Sequence, residues 1–337
     1  MAVSAATVTT IQRQGGRRRP FLVRNARLLF AYAILAVLLI IYHQKAPRFT
    51  EREMRSIANQ GMTLTCASLG QTVVVLTGGI DLSVGPMVSL TNSAASRVGG
   101  VDNPTFWTLK AVAVCLAIGA LGGLINGLLV AYGRLQPIIV TLATGSIYSG
   151  LALYIRPNPG GEVPFEFGDK LTGLWRHKVP DALFLLAALI ILWLIFRKTT
   201  LRTRIFAIGS SQGAAYMSGV NVAQTKVVAY TVAGIASGVA GLFLTAQTAS
   251  GDANAGSIYT LNSIAAVVLG GASLAGGSGS FIGSIAGSYV IAIIPSDLLF
   301  FKVSAFYQSF FQGLILLVAV SLGAFGVLRV KNRMERL

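Results

Sequence analysis

Charge is scarce in this sequence. Of its 337 residues only 11% are Asp, Glu, Lys or Arg, and just 11 residues are carboxylates. Cysteine and histidine are rarer still, with two of each. Cys66 and Cys115 sit in apolar stretches without paired metal-ligand spacing, so they read as small core side chains rather than a zinc or redox site. His43 and His177 fall in short polar segments at or beyond the ends of apolar runs, and an isolated histidine makes no catalytic constellation. The chain also lacks GxSxG, HExxH and Walker A patterns. These absences exclude a self-contained enzyme: no catalytic residue, metal site or cofactor of its own is expected.

What the chain has in abundance is apolar surface. Hydrophobic residues make up 54% of it, and its mean hydropathy of +0.70 is one that water-soluble domains rarely reach. A bilayer is the solvent this composition fits. A span needs roughly 17 to 25 mainly apolar residues, and ten candidate stretches, some of them short, lie near 26–42, 57–77, 82–99, 106–132, 136–155, 181–196, 227–247, 259–270, 281–299 and 305–327. The predicted fold is an all-α polytopic membrane protein of about ten transmembrane helices. One transmembrane domain covers 26–327, between a basic tail at 1–25 and another at 328–337. The first span is short, but Arg24 and Arg27 can extend toward headgroups. Because "IIYHQKAPRF" offers no small-x-small cleavage site, that span reads as a retained anchor.

The formal net charge is +16, which raises the question of nucleic acid. Its distribution answers otherwise. Basic residues gather at Arg13, Arg17, Arg18, Arg19, Arg24 and Arg27, between 197 and 226, and at Arg329, Lys331, Arg333 and Arg336. With ten spans and both termini inside, all three clusters fall on the cytoplasmic side, as the positive-inside rule prefers. Lys45, Arg48, Arg52 and Arg55 run against that rule. The expected partner of the charge is the lipid bilayer.

Two segments resemble each other. "VVLTGGIDLSVG" at 74–85 and "VVLGGASLAGGSG" at 267–279 both run from an apolar strip into a Gly-rich break. Superposing Leu76 on Leu269 aligns Val74 and Val75 with Val267 and Val268, and Gly78 with Gly271; beyond that the match decays. Six spans separate the copies, so they cross in the same sense, as a parallel repeat does. Irregular backbone at membrane depth survives only where protein or a water-filled cavity covers it. Gly78, Gly79, Gly270 and Gly271 therefore mark helix breaks inside the protein. Within the first, Asp81 has two readings. Asp81 or Ser83 can cap a helix beginning near Leu82, or Asp81 can lie on a substrate or ion path. The cap is favoured, because one carboxylate without a partner makes a poor relay.

The stretch 197–226, "RKTTLRTRIFAIGSSQGAAYMSGVNVAQTK", is too polar to span. Ser210 or Ser211 can cap a short helix ending at Met217 or Ser218, which Gly219 closes in the left-handed region. Small Ala214 and Ala215 beside protruding Tyr216 and Met217 suit docking into a groove of a cytoplasmic partner. An amphipathic connector is the plainer reading.

"GMTLTCASLGQTVVVLTGGIDLSVGPMVSL", "NGLLVAYGRLQPIIVTLATGSIYSGLAL", "AIGSSQGAAYMSGVNV" and "IAAVVLGGASLAGGSGSFIGS" together resemble the membrane permeases of bacterial ATP-binding cassette (ABC) importers for monosaccharides, the ribose, xylose and autoinducer-2 type. The likeness runs from about residue 57 to 325. It implies a ten-helix permease of the bacterial inner membrane that dimerises and binds a cytoplasmic ATPase with two nucleotide-binding domains in one chain. ATP and Mg would be bound by that partner, and sugar delivered by a periplasmic or lipid-anchored binding protein. The resemblance also implies that the loop around 207–221 is the coupling helix, which gives Gly209, Ala214, Ala215, Ser218, Gly219 and Val220 that role and tips the reading toward docking. Asp81, Ser83, Asn126, Gln136 and Thr141 match the family's membrane motifs, in or near the translocation path.

This chain departs from the pattern at several positions. Ser211 and Gln212 stand where members usually carry Asn and an acidic residue. Thr260 and Asn262 replace an acidic pair, and Gln312 replaces a lysine. Losing both signs together avoids one buried, uncompensated charge. That pattern suggests one half of a heterodimer whose sister subunit keeps the charges; a homodimer that lost the cluster is the alternative. A secondary transporter is disfavoured by the scarcity of intramembrane carboxylates, and a membrane enzyme by the lack of clustered reactive groups. The nearest alternative is an ABC permease for branched-chain amino acids, against which the GGIDLSVG form of the first break argues. Phe300, Phe301, Phe306, Tyr307 and Phe311 read first as an interface belt.

Overall fold

The computed structural model describes residues 26–46, 49–176, 178–304 and scattered positions between 306 and 321. The two basic tails, Arg48, His177, Gln312 and most of the last apolar run lie outside the described residues. The helices are α1 (Ala26–Lys45), α2 (Glu51–Leu76), α3 (Val84–Ala95), α4 (Pro104–Ala131), α5 (Pro137–Ile155), α6 (Phe165–Thr172), α7 (Ala182–Phe196), α8 (Thr200–Ser210), α9 (Gln212–Met217), α10 (Val222–Thr248), α11 (Ser257–Leu269) and α12 (Phe281–Phe300). Between α6 and α7 lies a two-stranded antiparallel ribbon, β1 (Leu174–Trp175) with β2 (Val179–Pro180). The sequence pattern did not foresee that ribbon or α6.

Among the described residues five helices are long and apolar enough to cross a membrane: α1, α4, α5, α10 and α12. A sixth is added if α7 and α8, bent by 79°, count as one span. The expectation of about ten spans is corrected accordingly, and the reasons are local. Helix α2 carries Glu51, Arg52, Glu53 and Arg55 in its first turns and Asn59, Gln60, Gln71 and several hydroxyl residues further along, which dilute its apolar character. Helices α3 and α11 have only 12 and 13 residues; at about 1.5 Å per residue neither reaches the ~30 Å of a hydrocarbon core. Both were expected as full spans, but each adjoins a Gly-rich break that stops helical hydrogen bonding. The tenth run, 305–327, is mostly outside the described residues.

Burial runs inside-out relative to a water-soluble domain. Leu121 on α4, Ile139 on α5 and Leu192 on α7 are exposed, whereas α2 buries Thr63, Thr65, Ser68, Gln71 and Thr72. Helix α10 sits at the centre and packs along α4, α2 and α3. Its contact with α4 is nearly backbone to backbone: a Cβ on Gly234 would stand 2.1 Å from the Gly119 carbonyl oxygen. Small residues permit such approach where helices associate through van der Waals packing. Short α3 is enclosed by α4, α5, α10 and α11, and all its residues but Pro86 are buried. Cys66 and Cys115 are buried and unpaired, as core side chains should be.

The bundle has two ends. At one, the α6 and ribbon segment is tied down by Asn59 Nδ2 donating to the Thr172 carbonyl (2.8 Å) and by mutual backbone bonds between Gly160 and Gly251 (2.9 and 2.8 Å). At the other end meet both Gly-rich breaks, the turn between α4 and α5, and the α8–α9 segment.

Candidate functional site

Each break begins with the same helix stop. After α2, Gly78 takes φ +81°, its N–H reaches the Val75 carbonyl (2.9 Å), and the Gly79 N–H reaches that of Val74 (3.2 Å). After α11, Gly271 takes φ +91°, with Gly271 N–H to Val268 (2.9 Å) and Ala272 N–H to Val267 (3.1 Å). This is the Schellman arrangement, in which a left-handed residue just past the helix lets two amides satisfy the last carbonyls. The positions correspond under the alignment of Leu76 with Leu269. The connecting segments then diverge in length, 77–83 in the first and 270–280 in the second, which is why the sequence match decays there.

Gly270 stands at the threshold of the second break, just past the end of α11. Gly270 caps α11 in the right-handed helical region at φ −67°, and its N–H still bonds the Ala266 carbonyl (2.9 Å), so the stop falls one residue later, at Gly271. What Gly270 provides is close packing: a Cβ there would stand 2.3 Å from the Gly283 carbonyl carbon on α12. Gly79 in the first break has a similar part, since its Cβ would meet the Tyr230 hydroxyl of α10 at 2.5 Å.

Asp81 is buried within the first break. Its Oδ1 accepts from the Ser83 backbone N–H (2.8 Å) and the Ser83 hydroxyl (2.6 Å). Asn126 Nδ2 on α4 donates to Ser83 Oγ (2.8 Å), and Thr141 Oγ1 on α5 accepts from the Leu82 N–H (3.0 Å). The Gln71 amide, oriented to satisfy both its groups, donates to the Asp81 carbonyl (3.0 Å) and accepts from its N–H (3.3 Å). Asp81, Ser83, Asn126 and Thr141, singled out along the sequence, thus come together in one buried polar cluster. Gln71 was missed, although a glutamine inside the apolar run of α2 was its signal. The carboxylate closes an Asx turn onto the Ser83 N–H just ahead of α3, which starts at Val84 rather than near Leu82; Ser83 is the N-cap position and makes no side-chain capping bond to the helix. Gln136 does not join; it is exposed at the start of α5.

The α8–α9 segment is equally definite. Ser211 is the residue between the two helices, and its Oγ accepts from the Ala214 N–H (3.3 Å) to cap α9; Ser210 instead ends α8. After Ser218, Gly219 takes φ +81°, its N–H bonds the Tyr216 carbonyl (2.9 Å), and the Val220 N–H bonds that of Ala215 (3.0 Å). A six-residue helix is thus closed at both ends. Ala215 is buried against the bundle, while Tyr216 and Met217 are 71% and 84% exposed.

Gly209 ties this segment to the breaks. A Cβ there would lie 1.9 Å from the Leu76 carbonyl oxygen and 2.3 Å from the Gly277 nitrogen. The Gly277 N–H itself bonds the Leu76 carbonyl (3.1 Å). The end of α2, the loop after α11 and the end of α8 therefore meet at one backbone junction, and a glycine is required at each close approach. Thr260 and Asn262 lie apart from it on α11. Thr260 Oγ1 packs so closely on α3 that a Cβ on Gly85 would meet it at 2.1 Å, and Asn262 is half-buried.

Beside α9 lies a groove of about 960 Å³ between the α4–α5 turn and the start of α10; Arg134, Pro137, Tyr216, Met217, Gly219 and Lys226 are among its walls. Among the described residues no group of three or more His, Cys, Asp or Glu side chains is placed to hold a metal ion.

Residues 54–320 match the family described as branched-chain amino acid transport system / permease component. Among curated proteins, the chain is 38% identical over 298 residues to the ribose import permease protein RbsC of Bacillus subtilis (strain 168), covering 86% of this chain and 90% of that one. It is 32% identical over 319 residues to RbsC of Escherichia coli (strain K12), with 92% and 98% covered. To the galactose/methyl galactoside import permease protein MglC of the same E. coli strain it is 33% identical over 318 residues, with 89% and 95% covered. No solved structure matches.

Proposed function

The chain belongs to the branched-chain amino acid transport system / permease component family, and from that premise we propose that it is the membrane permease subunit of an ATP-driven bacterial sugar importer. The sugar reading stands above the amino-acid one because the similar curated permeases are for ribose and galactose along nearly their whole length. The chain forms the translocation path and hydrolyses nothing. ATP and Mg are bound by a separate cytoplasmic ATPase with two nucleotide-binding domains, and a periplasmic or lipid-anchored binding protein supplies the sugar. The apolar helices lie in the membrane, with α3 and α11 as half-length pieces covered by their neighbours, and both termini are cytoplasmic.

One observation carries the coupling assignment: α9 is capped at both ends, presents Tyr216 and Met217 outward, and is joined through Gly209 to both helix breaks. ATP-driven closure of the partner moves α9, and the junction passes that motion to α2 and α11. A nucleotide-dependent population shift becomes access for sugar. The test is ATPase activity of the reconstituted complex with sugar-loaded binding proteins. Stimulation by one loaded binding protein, lost at least tenfold in Met217→Asp with the permease still folded, is the expected result. Uptake that persists with no ATPase present would promote a secondary transporter instead.

The second permease chain is proposed to be a paralogue. Thr260 and Asn262 are neutral on α11 where the resemblance leads one to expect acids, and Thr260 sits in a tight contact with α3. Co-purification of a different permease chain supports the heterodimer; a working transporter rebuilt from this permease alone excludes it.

A further inference from the structure

We propose that the groove beside α9 receives a carboxylate-bearing segment of the cytoplasmic ATPase, held between Arg134 on the α4–α5 turn and Lys226 on α10. The proposal rests on the coupling assignment above and adds the chemistry of the contact.

Charge of one sign is the first argument. The chain has no Asp or Glu between residues 103 and 161 or between 182 and 251, the two stretches that build the opposite walls of the groove. Neither wall can neutralise its cation from within. Lys226 is half-buried, and its Nζ donates to a neutral acceptor, Gln212 Oε1, at 2.8 Å. Arg134 is exposed and held at φ +54°, a left-handed backbone that L side chains seldom adopt. An arginine displayed from such a turn offers the planar fork that takes a carboxylate in two parallel hydrogen bonds.

Shape and rim supply the second argument. About 960 Å³ accommodates a loop or helix end rather than one side chain. Exposed Tyr216 and Met217 form an apolar lip on the same surface that α9 offers the ATPase. Aromatic and methionine side chains beside charged anchors are the composition of protein–protein contacts. Because the groove shares Tyr216, Met217 and Gly219 with the docking helix, the ATPase rather than a lipid headgroup is its occupant.

The experiment measures binding of the ATPase chain to permease in nanodiscs of phosphatidylcholine alone, from roughly 50 to 500 mM salt, over which screening of exposed charges changes strongly. Wild-type affinity should fall with salt. The pair Arg134→Gln and Lys226→Gln should lower affinity at least tenfold at low salt and flatten the salt response, while Met217→Ala should weaken binding and keep that response. Arg134→Glu alone, at an exposed turn, should give the same direction of change without disturbing packing. A double variant that binds with the wild-type salt response overturns the proposal, as does a salt response appearing only when anionic lipid is added. If Met217→Asp also leaves ATPase binding unchanged, the coupling assignment itself fails, and the groove proposal falls with it.

Discussion

Asp81 is where a single residue decides most. Its carboxylate takes two hydrogens from Ser83, and Ser83 in turn takes one from Asn126. Asp81→Ala strands a buried amide and a buried hydroxyl, at a cost of about 1 to 3 kcal/mol each. Asp81→Asn keeps an acceptor oxygen and should lose much less. Thermal unfolding in detergent checks the order: alanine well below wild type, asparagine close to it, with sugar uptake following stability. Asparagine at wild-type stability but without uptake would place the charge itself on the translocation path.

At the scale of elements, the junction of α2, α8 and the loop after α11 is the sensitive feature. Gly209→Val would drive a branched side chain into the Leu76 carbonyl, where even a Cβ lies at 1.9 Å. Helix α8 must then lift away from the breaks. The expected outcome is an ATPase that still binds but is no longer stimulated by loaded binding protein. Gly150→Ala on α5, whose Cβ would meet nothing within 4 Å, is the matching control and should be silent. Equal loss in both variants would show that the phenotype reports general damage rather than the junction.

For the whole molecule the proposal is that α9 and the α6 segment face opposite sides of the membrane. Cys66 and Cys115 are buried, so new cysteines can be read against a quiet background. Met217→Cys should react with an impermeant maleimide only in inside-out vesicles, and Phe165→Cys, 81% exposed in the wild type, only in right-side-out ones. Labelling of both from one side would end the proposed topology. The span count shows how far hydropathy reaches at this scale. The runs forming α1, α4, α5, α10 and α12 were legible because each is long, apolar and unbroken. Helix α3 was misjudged because the apolar run at 82–99 does not reveal how much of it stays helical, and α11 because the run at 259–270 is itself shorter than a span and stays helical almost to its end.

By itself the sequence determined the solvent, the helix stops at Gly78, Gly271 and Gly219, and the local turn that Asp81 makes onto Ser83. All of these depend on composition or on neighbours within a few residues. Only the tertiary structure decided that the two breaks bond to each other through Gly277 and Leu76, that Gly209 closes on both, that Gly270 packs against Gly283 of α12, and that Arg134 and Lys226 face one groove. Those contacts join positions from about a dozen to hundreds of residues apart. Which carbonyl meets which amide is set by helix lengths and crossings, and no local pattern records it.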